Sequence, residues 1–221
     1  MEIVFEEARG RTSSVKIVDG AVRMRLSRFA RGEDRERIIA KFRRWAEKKL
    51  ASAAKATDFV LPEYRDGGRI VTHNKVYDLQ IHGRRGKRSS VYLEGDVLKV
   101  YLAEGANLRD LVERKIMVDQ LPYLKEVLRE LNELHFRVNY HEVRFRRVKS
   151  RFGSCSSNGN ITIAYSLLFA PREVFRYVCV HELAHLKEFN HSARFWAWVA
   201  SAMPDYEVQE RWLKAKGMMI S

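Results

Sequence analysis

The chain has 221 residues, of which 46% are hydrophobic and 31% charged, and its formal net charge is +13. There is apolar material for one large domain or two small ones, which excludes a disordered chain, and no stretch reaches the ~20 apolar residues of a membrane span. Residues 1–100 hold 23 Lys and Arg against 14 Asp and Glu, so most of the surplus is N-terminal.

A basic surface of this kind either stays solvated or attracts polyanions without sequence selectivity. The opening Met1-Glu-Ile-Val-Phe-Glu-Glu7 has neither a basic region nor a cleavable apolar one. Two cysteines, Cys155 and Cys179, fit a reducing compartment as packing residues without a disulfide. The expected location is the cytoplasm, with no membrane partner.

Three strands are predicted at the start: Ile3 to Ala8, Ser14 to Val18 and Ala21 to Leu26. The last two are joined by Asp19-Gly20, a strong hairpin signal, and Val22, Met24 and Leu26 alternate with Arg23 and Arg25. A helix follows from about Asp34 to Ala53, with Ile38, Ile39, Phe42, Trp45, Ala46 and Leu50 on one stripe. After Pro62 and Asp66-Gly67-Gly68 comes a second β run, Ile70 to Ile81. It continues as Val91 to Leu93 and Val97 to Leu102 in what reads as a meander. Its loop carries Arg84, Arg85, Lys87 and Arg88, the candidate nucleic-acid contacts. From Asn107 to about Leu134 the pattern is helical, with Pro122 expected to end or kink it. The domain junction is placed near residue 105.

Beyond it, strands are predicted over Val143 to Val148 and Ile161 to Leu168, flanking the turn Gly153-Ser-Cys-Ser-Ser-Asn-Gly159. An extended peptide is expected to add along residues 161–168 as one more strand. Pro171 opens the next helix, a position that suits proline.

That helix carries His181-Glu-Leu-Ala-His185-Leu-Lys-Glu-Phe-Asn-His191. At about 100° per residue, His181 and His185 lie about 40° apart and roughly 6 Å along one face, so two imidazoles can converge on one metal ion. Glu182, turned about 100° from His181, is placed to deprotonate a metal-bound water. In an unbroken helix His191 would lie about 9 Å beyond His185, so the helix must stop first. Asn190 tolerates the left-handed conformation that ends helices, and Ser192 is a good N-cap for a helix over Ala193 to Met203. Glu188 and Glu207 are rival third ligands. Three protein ligands and an open fourth position describe a catalytic zinc site, and the absence of a Cys-x-x-Cys pair argues against a structural one.

Arg151-Phe-Gly-Ser-Cys-Ser156, Ala170-Pro171, Val178-Cys-Val-His-Glu-Leu-Ala-His-Leu-Lys-Glu188, Asn190-His-Ser192, Phe195-Trp196 and Met203-Pro-Asp-Tyr206 together resemble the YgjP-like metal-dependent hydrolases. Those are relatives of the WLM and SprT-like metalloproteases. The chain departs from them at Phe152, where Trp is usual, and at Ala164, where Asn is common. The resemblance implies an α+β zincin of the minigluzincin kind over 106–221, with a small basic β-rich domain and one helix over 1–105. It also implies one Zn2+ per chain on His181, His185 and His191, with Glu182 as catalytic base. Tyr206, Arg151 and His141 are candidate transition-state or substrate contacts.

The function expected is a zinc metallopeptidase acting on peptide or unfolded protein, working near nucleic acid. Two alternatives are a nucleic-acid-binding protein with a residual zinc site and a zinc hydrolase of a non-peptide amide or ester. The intact His181, Glu182 and His185 weigh against the first, since a scaffold has no use for a general base.

Overall fold

A computed structural model describes residues 3–8, 10, 12–18, 21–54, 62–86, 88–148 and 151–220. The fold is mixed α+β, in two compact units, Met1–Thr57 and Asp58–Ser221.

In the first unit, β1 (Ile3–Ala8), β2 (Ser14–Val18) and β3 (Ala21–Ser27) form a sheet of order β1-β3-β2, followed by α1 (Gly32–Ala54). β2 and β3 pair antiparallel with Val18 opposite Ala21, and β1 joins β3 in parallel. The Asp19-Gly20 turn lies outside the described residues, as do the side chains of Trp45 and Leu50. Alternation decides the faces: Val22 and Met24 are buried with Ala46 of α1, while Arg23 and Arg25 are exposed. Glu33 and Asp34 in the first turn of α1 favour the positive end of its dipole.

The second unit begins with β4 (Arg69–Val71), β5 (Val76–Arg84), β6 (Ser90–Glu94) and β7 (Val97–Ala103), in the order β4-β5-β7-β6. The expected meander is not formed. β6 pairs antiparallel with β7 at the edge, and β5 runs parallel to β7, so the β5–β6 connection crosses the end of β7. The Ala103 amide donates to Ser89 Oγ at 3.0 Å and pins that crossing.

Next comes α2 (Leu108–Leu131), capped by Asn107, whose side chain accepts from the Asp110 amide at 3.0 Å. α2 passes through Pro122 without ending. Proline deprives the Val118 carbonyl of its helical donor, but Val118 is 68% exposed and water can serve that oxygen. One π-helical turn over 132–136 follows and stops at Arg137, left-handed at φ 52°, whose amide donates to the Asn132 carbonyl at 2.7 Å.

The remaining elements are β8 (Val143–Arg146), β9 (Gly153–Cys155), β10 (Ile161–Ala164), a 3-10 turn over 165–169, α3 (Arg172–His185), α4 (Ala193–Ala202) and α5 (Tyr206–Ile220). The junction expected near residue 105 falls inside the second unit. Tyr77, Leu79, Leu98 and Val100 of the four-stranded sheet share one apolar core with Ile116 and Leu124 of α2 and Phe175 and Val180 of α3. A hydrophobic surface once buried on both sides leaves no boundary for a linker to mark. No helix among the described residues is long and apolar enough to cross a membrane.

Several polar groups inside this core are paired, although His73 Nδ1 has no hydrogen-bond partner among the described residues. Glu113 of α2, almost fully buried, accepts from the Tyr64 hydroxyl at 2.9 Å and from Arg109 Nε at 2.6 Å. His73 packs against Phe175 and lies 3.1 Å from the Tyr123 hydroxyl, and burial holds its imidazole down to about 4, only partly opposed by backbone carbonyls at 167–170. Protonation therefore favours the unfolded chain. The His73 contribution is complete above the ordinary imidazole value near 6.5 and is lost as pH falls towards 4. Urea unfolding of His73→Phe should show a weaker loss of stability across that window, the difference from wild type changing by about 3 kcal/mol at most. Parallel pH profiles would refute the assignment.

Candidate metal centre

Pro171 stands at the N-cap of α3, its carbonyl accepting from the Val174 and Phe175 amides at 3.0 and 3.1 Å. Val174, Phe175, Val178, Cys179 and Val180 are buried, so the C-terminal turn that bears the polar residues is held by a packed stem. His181 and His185 emerge on one face, ring centroids 4.9 Å apart. The helix ends at His185, and the Glu188 carbonyl lies 3.3 Å from His185 Nδ1, leaving Nε2 for the cluster.

Asn190 is not left-handed: Arg137 is the only non-glycine with positive φ among the described residues. The turn is made by its side chain instead, which accepts from the Ser192 amide at 3.1 Å. Ser192 Oγ in turn accepts from the Phe195 amide at 3.4 Å and caps α4. His191 is thereby returned to the helix.

One ligand atom from each of His181, His185 and His191 falls within 4.8 Å of the other two. His191 Nε2 and His181 Nε2 are 3.1 Å apart. Two imidazole lone pairs at that distance repel unless a proton or a cation stands between them, and burial, helped by the neighbouring His185 and His191, holds His181 down to about 3, against the proton. Burial lowers His185 as well. The donor set thus suits a divalent metal that takes neutral imidazole. Phe195, fully buried, lies under all three rings at 4.9, 4.6 and 4.7 Å.

Glu182 is 4% exposed, and burial pushes its carboxyl up to about 8 against the opposing charge of Arg151. Its Oε2 has no hydrogen-bond partner among the described residues. Its Oε1 lies against the backbone of Gly153, where an added Cβ would come within 2.2 Å. The carboxylate borders a cavity of about 320 Å³ lined by Arg151, Phe152, His181, Glu210 and Leu213 among others. Phe152 rests on Gly217 of α5, whose missing side chain makes room for the ring.

Strand order is β8-β10-β9, so β10 is bonded on both sides and all four of its residues are buried. The expected peptide edge along 161–168 is therefore closed. The strand beside Glu182 is β9, which among the described residues is bonded only to β10.

Arg151 reaches the Glu182 cavity. Tyr206 does not: it stacks on Trp196 at 5.3 Å and on Tyr177 at 6.4 Å, one ring removed from His181. His141 lines a separate recess with Leu186 and Phe189. Glu188 pairs with Arg194 and Glu207 with Arg211, and neither joins the histidine cluster. Both cysteines are free; burial raises the Cys155 thiol to about 11 and raises that of Cys179 as well. Arg84 at the end of β5 and Arg85 and Arg88 on the β5–β6 connection are exposed, while Lys87 lies outside the described residues.

A family profile described as "YgjP-like, metallopeptidase domain" matches residues 11–216. The chain belongs to the YgjP-like family. This YgjP-like chain is also similar to two solved metallopeptidase zymogens. Abylysin of Pyrococcus abyssi is 27% identical, the match covering 41% of the YgjP-like chain and 92% of abylysin with a TM-score of 0.38. Jannalysin of Methanocaldococcus jannaschii is 18% identical over 40% and 93% respectively, with a TM-score of 0.34. No curated protein matches. The family is one of metallopeptidase domains, and in this member the three histidines form a cluster competent to bind metal.

Proposed function

We propose that this YgjP-like domain is a zincin-type endopeptidase in which His181, His185 and His191 hold one zinc ion and Glu182 is the general base. The reading is carried by the convergence of three imidazoles beside a buried carboxylate whose Oε2 lacks a protein partner. Zinc held there supplies Lewis acidity, which brings the pKa of water down towards about 7 and polarises a carbonyl.

Glu182 does the proton transfer. Gly153 occupies the Oε1 side, so Oε2 takes the proton of the attacking water and returns it to the leaving amine nitrogen. The substrate is an extended peptide added to the free edge of β9, which aligns its backbone by main-chain hydrogen bonds and suits unfolded protein. Arg151, exposed at the mouth of the Glu182 cavity, contacts that peptide. Tyr206 supports the site through the Trp196 and Tyr177 rings. The basic β5–β6 connection draws the enzyme towards polyanions without sequence selection.

Purified protein should carry one zinc per chain by elemental analysis. Chelation should abolish hydrolysis of an unfolded protein such as reduced casein, and added zinc should restore it. His191→Ala should weaken zinc binding by more than the about 10–100-fold lost with an outer-shell partner. Full zinc affinity in that variant would remove His191 from the site, and no stoichiometric metal in wild type would remove the site.

A further inference from the structure

The solvent face of β5, β7 and β6 carries aromatic rings for which the core has no use. Along β5, Tyr77 and Leu79 are buried and Gln80 and His82 are exposed; along β7, Leu98 and Val100 are buried and Tyr101 is 37% exposed. Tyr92 on β6 is 53% exposed. Register sets His82 beside Tyr101, and their rings stack with centroids 5.2 Å apart. Tyr92 meets Tyr101 edge-on at 6.0 Å. The three rings make a track across three strands.

Basic residues outnumber acidic ones at the His82 end of this face, where Glu104 just past β7 is an exposed acid. Asp78 is paired with Arg69 and Glu94 with Lys99. At the His82 end stand Arg84, the last residue of β5, and Arg85 and Arg88 of the β5–β6 connection, all exposed and in no ion pair among the described residues. Exposed ring faces take nucleobases by stacking, and guanidinium groups beside them take phosphates. A duplex keeps its bases stacked inside, whereas a single strand presents them.

We propose that the open face of β5, β7 and β6 binds single-stranded nucleic acid, with bases on His82, Tyr101 and Tyr92 and phosphates on Arg84, Arg85 and Arg88. The site stands apart from the peptidase chemistry, since none of these residues belongs to the histidine cluster or lines the Glu182 cavity.

Fluorescence anisotropy of the full chain with labelled oligo(dT), oligo(U) and a duplex, each of about 12 nucleotides or base pairs, tests it. Single strands should bind more tightly than duplex, and preference for one sugar assigns DNA or RNA without changing the conclusion. Tyr92→Leu with Tyr101→Leu should weaken single-strand binding about tenfold or more and leave duplex binding unchanged. The corresponding Phe variant, which keeps the rings, should bind as wild type. Arg84→Gln with Arg88→Gln should flatten the salt dependence by about 1.4 units of log–log slope.

Cross-strand aromatic pairs also stabilise sheets, so thermal melts must show the Leu variant folded. If it is not, Tyr92→Ser at the most exposed ring takes its place. Equal affinity for duplex and single strand, unchanged binding by a folded ring-deleted variant, no binding, or binding only to anionic lipid vesicles would each overturn the proposal.

Discussion

Changing Glu182 to Gln should leave one zinc per chain and lower hydrolysis of an unfolded protein by about 10²–10⁴-fold, the usual worth of a positioned general base. The substitution is nearly isosteric, so the contact with Gly153 and the packing of α3 are kept. None of the three histidines is touched. A neutral amide also replaces a buried carboxyl that lacks a partner for Oε2, so the folded state should be no less stable than wild type. The result is therefore a loss of turnover with metal and fold retained, read by elemental analysis, a thermal melt and a casein assay on one preparation. Hydrolysis at the wild-type rate would show that Glu182 is not the base.

Gly153→Ala should be almost as damaging to activity, through geometry alone. The new Cβ would stand 2.2 Å from Glu182 Oε1 and 2.7 Å from its Cδ, closer than any real contact. Glu182 extends from a buried stretch of α3, so either its carboxylate rotates out of line or β9 moves away from it. Overpacking of this kind costs about 1–3 kcal/mol, a melting shift of about 2–12 °C in a domain of this size. Hydrolysis should fall by at least about tenfold with zinc content intact. Combined with Glu182→Gln, the alanine should cost little further activity, because both changes act on one group. Wild-type activity in Gly153→Ala would mean that β9 yields freely and does not position the base.

Much of the architecture was legible because it is local. Period-2 alternation placed Val22 and Met24 inside and Arg23 and Arg25 outside, and a 3.6-residue period set His181 and His185 on one face. Ser192 as the cap of α4 was readable for the same reason, since a cap is decided within three residues. Asn190 marks a chain reversal in the sequence, but the left-handed residue expected there is replaced by a side-chain bond to the Ser192 amide. The two conformations turn the chain similarly, and residue type does not separate them.

What failed was whatever depends on partners distant in the chain. Three β runs in succession look like a meander, yet the first divides into β4 and β5, and β5 lies beside β7, because pairing order is chosen by which edge buries the most apolar surface. Pro122 breaks a helix in isolation, but α2 continues through it, packed against a sheet and α3. Gly153 reads as a turn residue, and only the approach of a carboxylate from α3 gives its missing Cβ a purpose.

The sequence by itself determined the donor chemistry, three histidines and a glutamate at spacings that one helix and one turn can gather, because those relations span eleven residues of chain. Only the tertiary structure decided that β9, and not β10, is the edge strand beside Glu182 among the described residues, and that Phe195 and Gly153 support the imidazoles and the carboxylate. Strand order and close packing are set by the global competition to bury apolar surface, which no local window records.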